Sequence, residues 1–337
     1  MVDLAYPLLV PLRGFESLQS ILQISSTLDM IPPSFYFPIR DSDNPQESVL
    51  DTKNLTGATV LFFFLQIFGG HLGIPFVLLT VYLTAGVRRH AMLLNFLISW
   101  VIYTTSFCIL LYIGKQFGPE PPRSFCAIQA SLIYGTAVLT PTAGLSFVLN
   151  LWFSLQAVST GKAPVDDNTF KKYTLIAAPY IIFAFFVIFT ATYAASNPEL
   201  LTRTRYVFYC TIHSNFVNIV PAVAAMIMLS VVIFEILIAI KIYRIRKSFS
   251  QMRSQGPPLH LVIRVGIFST YSFLSIVACV GFWAKTGDEL PYMIQASLPT
   301  AAFLIFGSQK DLMEIWGLAR AWSFVKHIFG FGIQKIY

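Results

Sequence analysis

The side chains that could support catalysis are few and widely spaced in this sequence. None of its five histidines lies four residues from another, so the helical spacing of a zinc site is missing; they are His71, His90, His213, His260 and His327. No apolar stretch contains an aspartate, and no Gly-x-Ser-x-Gly motif is present. A retinal Schiff base needs a lysine in the last apolar stretch, and residues 290–309 contain none. The sequence therefore predicts a protein that is not an enzyme and that uses no cofactor or metal.

The elements that hold these residues are long apolar stretches. Only 12% of the 337 residues are charged, against about 25% in an average soluble domain. The 31 Phe and 15 Tyr suit a lipid-facing surface with rings at its interfaces. A helix of about 20 apolar residues crosses the hydrocarbon core. Seven stretches qualify, which predicts an all-α fold, a seven-transmembrane helix bundle, with spans near 60–84, 91–114, 125–157, 173–195, 214–241, 261–284 and 290–308.

The basic residues indicate the orientation of these spans. Short cytoplasmic loops of membrane proteins are enriched in Lys and Arg. With the N-terminus outside, the inner segments carry 15 of the 23 basic residues and the outer segments carry 8. The sequence therefore predicts a multi-pass plasma-membrane protein with an extracellular N-terminus and a cytoplasmic C-terminus. This bias accounts for the net charge of +7, so we expect membrane lipid and no nucleic acid as a partner.

The orientation divides the chain into three regions. We expect an extracellular N-terminal segment at 1–57, a seven-helix domain at 58–309, and a cytoplasmic amphipathic helix and tail at 310–337. The sequon Asn54-Leu55-Thr56 then lies on the luminal side, which makes the protein a candidate glycoprotein.

Two of the four cysteines lie on the oxidising side in this topology. Cys126 is at the outer end of the third span and Cys210 is in the second outer loop, whereas Cys108 and Cys279 lie within spans. Exposed cysteines on the oxidising side are rarely left free, so we expect a disulfide between the first two. The alternative is two unrelated free thiols.

Glu235 is the acidic residue that falls within a span. A charge in lipid costs several kcal/mol, and such residues are candidates for a function. Arg264, at the inner start of the sixth span, is a plausible partner. We expect an ion pair between the two helices that holds the resting bundle closed; the alternative is that Glu235 reaches the headgroups.

The third inner loop forms a positively charged surface. Its sequence KIYRIRKSFSQMRSQGPPLHLVIR combines a basic extension of the fifth span with a Gly-Pro-Pro break. One interpretation is a topology signal that touches anionic lipid. The other is a docking surface for a cytoplasmic transducer, formed by Lys241, Arg244, Arg246 and Lys247.

The segment after the seventh span has a helical apolar pattern. One face carries Leu312, Trp316, Ala319 and Trp322, and the other carries Lys310, Glu314 and Arg320. This pattern predicts an interfacial amphipathic helix that lies flat beneath the inner leaflet.

Together these features resemble those of a G-protein-coupled receptor. They are the seven spans, the outside N-terminus, paired Cys126 and Cys210, Pro221 in the fifth span and the short helix after the seventh. The segment PTAAFLIFGSQKDLMEIW resembles the end of the seventh helix in fungal orphan receptors of the rhodopsin-like type, especially those of mushroom-forming fungi.

Three motifs of rhodopsin-like receptors are missing from the chain. Asn150-Leu151-Trp152 stands where those receptors have Asp-Arg-Tyr. Pro299 lacks the surrounding Asn-Pro-x-x-Tyr pattern, and the sixth span has no proline near Trp283. Activation would therefore use other contacts.

The resemblance implies a receptor for an extracellular ligand that signals to a heterotrimeric G protein. It places the ligand site in the outer half of the bundle, beneath the tethered loop. The polar and aromatic residues at that depth are Gln129, Tyr134, Asn215, Asn218, Trp283, Tyr292 and Gln295. The alternative is a seven-helix transporter of a neutral solute, because the spans hold almost no charge that could coordinate an ion.

Overall fold

The computed structural model describes residues 57–84, 91–116, 121–160, 169–203, 208–248, 259–283 and 290–317. Most of these residues are helical. The helices are α1 (Gly57–Leu83), α2 (Ala91–Phe107), α3 (Arg123–Thr160), α4 (Thr169–Ser196), α5 (Ile219–Ser248), α6 (Leu259–Trp283), α7 (Leu290–Gly307) and α8 (Lys310–Ile315). A short helix, Ile109–Tyr112, follows α2.

Five of the described helices are long and apolar enough to cross a membrane. They are α1, α3, α4, α5 and α7. The helix α2 has 17 residues, and the apolar stretch found in α6 is Val262–Ser275. Both are shorter than the 18 residues taken as the minimum for a membrane span. The structure thus fits a mostly helical, multi-pass membrane protein, and the count of seven spans remains a prediction.

A small β-hairpin, which the sequence did not predict, accompanies the helices of this mostly helical structure. Strands β1 (Leu201–Arg203) and β2 (Cys210–Ile212) lie between α4 and α5 and pair antiparallel. Thr202 lies directly opposite Thr211, a cross-strand pair of β-branched residues that favours strand pairing. A 3₁₀ turn, Asn215–Asn218, then precedes α5, which begins at Ile219 and not near residue 214 as predicted. We call the end of the bundle that carries these strands the hairpin end.

The helix α3 is the centre of the bundle. Of its most apolar segment 67% is buried within the protein, against 11% for α4, so α4 has an outer position that suits contact with lipid.

Aromatic rings join α2 to α6. The Phe268 ring of α6 lies 5.5 Å from the Phe96 ring and 5.7 Å from the Trp100 ring, both of α2, measured between centroids. These edge-to-face contacts are favourable arrangements of aromatic pairs.

Three glycines bring α1 close to α2 and α7. They are Gly69, Gly70 and Gly73, and they belong to a π-helical segment, Ile67–Gly73, within α1. A Cβ atom added to Gly69 would come within 2.3 Å of the Thr300 backbone nitrogen, and one added to Gly70 would come within 2.2 Å of the Thr104 side chain. The Thr300 hydroxyl also donates a hydrogen bond of 2.8 Å to the Leu65 carbonyl. Small residues therefore allow the close helix approach that membrane bundles favour.

The helix α8 is shorter than predicted and packs on α1. It ends at Ile315, and Gly317 follows with φ 70°, a conformation that glycine adopts readily after a helix. Leu312 is buried. The Trp316 indole donates a hydrogen bond of 3.0 Å to the Thr80 hydroxyl, and its ring lies 4.9 Å from that of Phe76. The predicted continuation through Ala319, Arg320 and Trp322 lies outside the described residues.

We predict that Gly69→Ala destabilises the protein by about 1–3 kcal/mol, because the added methyl group forces α1 away from the α7 backbone. The measurement is the loss of helical circular dichroism during detergent titration. The matched control is Gly266→Ala, which adds the same methyl group where nothing lies within 4 Å. Equal stability of the two variants would contradict the close packing of α1 against α7.

Candidate ligand site

A disulfide fixes the hairpin to the start of α3. Cys126 and Cys210 are bonded, with their Cα atoms 5.2 Å apart and a sequence separation of 84. This is the pairing expected from the sequence. Both residues are buried together with Leu110, so the bond lies within the protein at the hairpin end. The loop between α4 and α5 is consequently held over the end of the bundle.

Gln129 reinforces this attachment from one turn further along α3. Its side-chain oxygen accepts a hydrogen bond of 3.0 Å from the Cys210 backbone N–H. Its side-chain nitrogen donates to the carbonyls of Ser106 and Phe107 at the end of α2, over 3.3 and 3.1 Å. The residue is fully buried and bonded at both ends of its amide. Gln129 therefore joins α2, α3 and the hairpin, and its contact with a ligand stays a prediction.

Tyr134 and Gln116 also hold the hairpin. The Tyr134 hydroxyl lies 3.0 Å from the Thr211 hydroxyl and donates a weaker bond of 3.4 Å to the Ile212 carbonyl. The Gln116 side chain donates to the Phe208 carbonyl over 3.2 Å. Tyr134, which was expected to line the ligand site, thus binds the loop. The edge of β2 that does not pair with β1 carries polar groups, and these groups need hydrogen-bond partners inside an apolar bundle.

Two aromatic residues next to Cys210 point into the bundle. The Phe208 ring stacks on Phe62 of α1 with centroids 4.6 Å apart and lies 5.3 Å from the Tyr292 ring of α7. The Tyr209 ring lies 4.9 Å from Phe107 of α2 and 6.2 Å from Tyr292. We call these five residues the aromatic cluster. It joins the tethered loop to α1, α2 and α7, and Tyr292 is the one member that the sequence predicted for the site.

Buried polar atoms lie one to two helical turns beneath the aromatic cluster: Gln66 is four residues from Phe62 on α1, and Trp100 is seven residues from Phe107 on α2. Ser272 lies one turn from Phe268, whose ring contacts Trp100. Gln66, Trp100 and Ser272 are all buried. Within the part of the chain that the structure describes, both amide atoms of Gln66, the Trp100 indole nitrogen and the Ser272 hydroxyl have no hydrogen-bond partner. Such groups normally have partners, so this layer could bind a polar molecule.

The remaining residues expected at the ligand site are only partly described. Gln295 of α7 is half-buried. Asn215 and Asn218 belong to the 3₁₀ turn before α5, and Trp283 is the last residue of α6, but their side chains lie outside the description. The sequon residue Asn54 lies outside the described residues. In the described ranges, no three His, Cys, Asp or Glu side chains come together as a metal site would require.

At the opposite end of the bundle, Arg264 does not pair with Glu235. Its guanidinium donates hydrogen bonds to the Ile305 carbonyl, to the Ser308 hydroxyl over 2.7 Å and to the Ser308 carbonyl over 2.9 Å. These acceptors lie at the C-terminal end of α7, where helix carbonyls lack partners within the helix and carry partial negative charge. The ion pair expected from the sequence is therefore replaced by a link between α6 and α7, which we call the arginine link.

The basic residues expected to contact a G protein lie on the last turns of α5. The helix extends to Ser248, so Lys241, Arg244, Arg246 and Lys247 are on one continuous helix. The Lys241 ammonium group lies 5.0 Å above the Trp152 ring of α3, a cation–π contact, and Arg244 is exposed. The side chains of the other two residues lie outside the description.

Sequence reasoning missed the residues that now define the site. Phe208 and Tyr209 directly precede Cys210, so an aromatic pair next to a tethered cysteine was a usable signal. Gln66 gave a weaker signal, because it is a single amide side chain inside an apolar stretch.

Comparison with known proteins gives no family for this chain. No family model matches the sequence, and no curated protein matches it.

We predict that Gln129→Leu destabilises the hairpin by about 1–3 kcal/mol, because the Cys210 N–H and two α2 carbonyls lose a buried partner. The measurement is the rate at which a mild reductant opens the disulfide in native protein, which should increase. Gln295→Leu serves as the control, since this half-buried amide lies on α7. A reduction rate unchanged by Gln129→Leu would show that Gln129 does not hold the hairpin.

Proposed function

We propose that this protein is a seven-helix receptor of the plasma membrane, which detects an extracellular ligand and activates a heterotrimeric G protein. One observation carries the proposal: a loop bonded covalently to α3 inserts Phe208 and Tyr209 into the bundle, above buried polar atoms that have no hydrogen-bond partner among the described residues. A ligand that enters here would exchange contacts with both the loop and three helices. The hairpin end is the extracellular face in the predicted topology.

The helix α7 connects this site to the other end of the bundle. Its Tyr292 contacts Phe208, and its last carbonyls accept the hydrogen bonds of the arginine link. A ligand that separates Phe208 from Tyr292 would change the position of α7 and therefore the contact between α7 and α6. This coupling gives the receptor a route from ligand binding to a change at the cytoplasmic face that needs no Asp-Arg-Tyr motif.

The site favours an uncharged ligand with both aromatic and polar groups. Among the described residues of the aromatic cluster and the polar layer beneath it, none is charged, so a charged ligand would lose its hydration without compensation. The rings of Phe62, Phe107 and Tyr292 offer apolar faces to such a ligand. The Gln66 amide can both donate and accept a hydrogen bond, and the Trp100 indole can donate one.

Transport of a neutral solute is the second candidate. The Gln66 amide lies about 14 Å along α1 from its first residue, near the depth at which many transporters bind their solute. An unpaired amide at that depth would serve a neutral solute equally well. The two candidates differ in whether the molecule crosses the membrane or stays bound.

We predict that the purified chain, reconstituted in phosphatidylcholine vesicles, accelerates GTP-analogue binding by a purified heterotrimeric G protein above the rate in empty vesicles. When loaded with radiolabelled glycerol, the vesicles that contain the protein should release the glycerol no faster than protein-free vesicles do. Glycerol release without nucleotide exchange would favour the transporter and contradict the receptor.

The four basic residues of α5 provide the matched variant for this assay. Replacing Lys241, Arg244, Arg246 and Lys247 by Gln should remove most of the exchange, because the G protein loses its proposed docking surface. The control replaces Lys171 and Lys172 by Gln, two basic residues near the start of α4 on the same predicted side. Equal exchange by parent and quadruple variant would show that this surface is not the docking site.

A further inference from the structure

A groove opens between α3, α5 and α6 at the end of the bundle opposite the hairpin. Its volume is about 370 Å³, within the range of small-molecule sites. Its walls are almost entirely apolar and include Val148, Leu151, Ile238, Ile242, Val265 and Gly266. Glu235 also lines it, and we call this cavity the glutamate groove.

The Glu235 carboxyl group is the acidic feature of these walls, which also include Tyr243. It interacts with the hydroxyl of Ser269 on α6. Its Oε1 atom is buried, and in the ranges that the structure describes it has no hydrogen-bond partner. An isolated carboxylate in apolar surroundings is costly, and a cation in the groove would stabilise this charged form.

The basic residues nearest in sequence on α5 and α6 are engaged elsewhere. Arg264 binds the end of α7 through the arginine link, and Lys241 lies against the Trp152 ring. Among the described residues, no ion pair involves Glu235. The protein therefore presents a carboxyl group inside an apolar cavity, and the neighbouring cations Arg264 and Lys241 have other contacts.

We propose that the glutamate groove binds a lipophilic amine, which is a monovalent ammonium ion attached to an apolar body. The ammonium group donates to the Glu235 carboxylate, and the apolar body packs against Leu151, Ile238 and Val265. A bare metal ion fits poorly, because one carboxylate and one hydroxyl cannot replace its hydration shell. This site is separate from the proposed ligand site, and binding to it does not require signalling.

The test uses 4-phenylbutylamine as probe and 4-phenylbutanol as its neutral counterpart. Binding to the full chain in phosphatidylcholine nanodiscs is measured at neutral pH by saturation-transfer NMR, with empty nanodiscs as the background. We expect the amine to bind the parent at least about tenfold more tightly than it binds Glu235→Gln, a difference of about 1.4 kcal/mol. The alcohol should bind both forms equally. Equal binding of the amine to both forms would overturn the proposal.

Two further variants locate the binding. Gly266 lines the groove, and nothing lies within 4 Å of a Cβ atom added there, so Gly266→Leu should fill the cavity and abolish amine binding, while Gly266→Ala should retain it. Glu199→Gln removes an exposed carboxylate at the hairpin end and should leave amine binding unchanged. Amine binding that survives Gly266→Leu, or that is lost in Glu199→Gln, would place the site elsewhere.

Discussion

The attachment of the hairpin to α3 is the constraint on which the rest of the candidate site depends. The disulfide fixes one residue of the loop, and Gln129 fixes the backbone N–H of the same residue from the next turn of α3. Because Phe208 and Tyr209 are the two residues directly before Cys210, this attachment holds their rings close to the bundle. The aromatic cluster therefore depends on the attachment.

Unpaired polar groups inside the bundle explain much of the remaining arrangement. A helix in lipid must satisfy its backbone polar groups internally, and its ends are the weakest points. Arg264 satisfies several acceptors at the end of α7, and Trp316 reaches the Thr80 hydroxyl of α1. The Arg264 guanidinium and the Trp316 indole thus join helices near their ends, whereas buried atoms of Gln66 and Glu235 have no hydrogen-bond partner among the described residues.

The sequence predicted the long helices well because their apolar stretches are continuous. The predicted bounds of α3 and α7, at 125–157 and 290–308, differ from the observed Arg123–Thr160 and Leu290–Gly307 by three residues or fewer. The hairpin was missed because strands of three residues carry too few side chains for an alternating pattern. The break at Gly317 was also missed, since a glycine within an apolar periodic segment does not by itself show where a helix ends.

Side-chain roles were harder to predict than helices. Gln129 lies near the start of α3 and Arg264 near the start of α6, as predicted, but each binds backbone carbonyls or N–H groups, which the sequence does not mark as partners. The pairing of Cys126 with Cys210 succeeded because topology and redox compartment limit the choice of partners. Polar side chains can bond to many partners. Their predicted depth in the bundle therefore does not distinguish a residue that contacts a ligand from one that contacts a neighbouring helix.

Hydrogen exchange at the Cys210 amide tests the central claim most directly. The protein would be studied in nanodiscs, before and after reduction of the disulfide. The account predicts that this amide, which donates to Gln129, exchanges orders of magnitude more slowly than in a free peptide, and that reduction accelerates it while the middle of α3 stays protected. Exchange at the free-peptide rate with the disulfide intact would show that the hairpin is not held on the bundle, and would contradict the account.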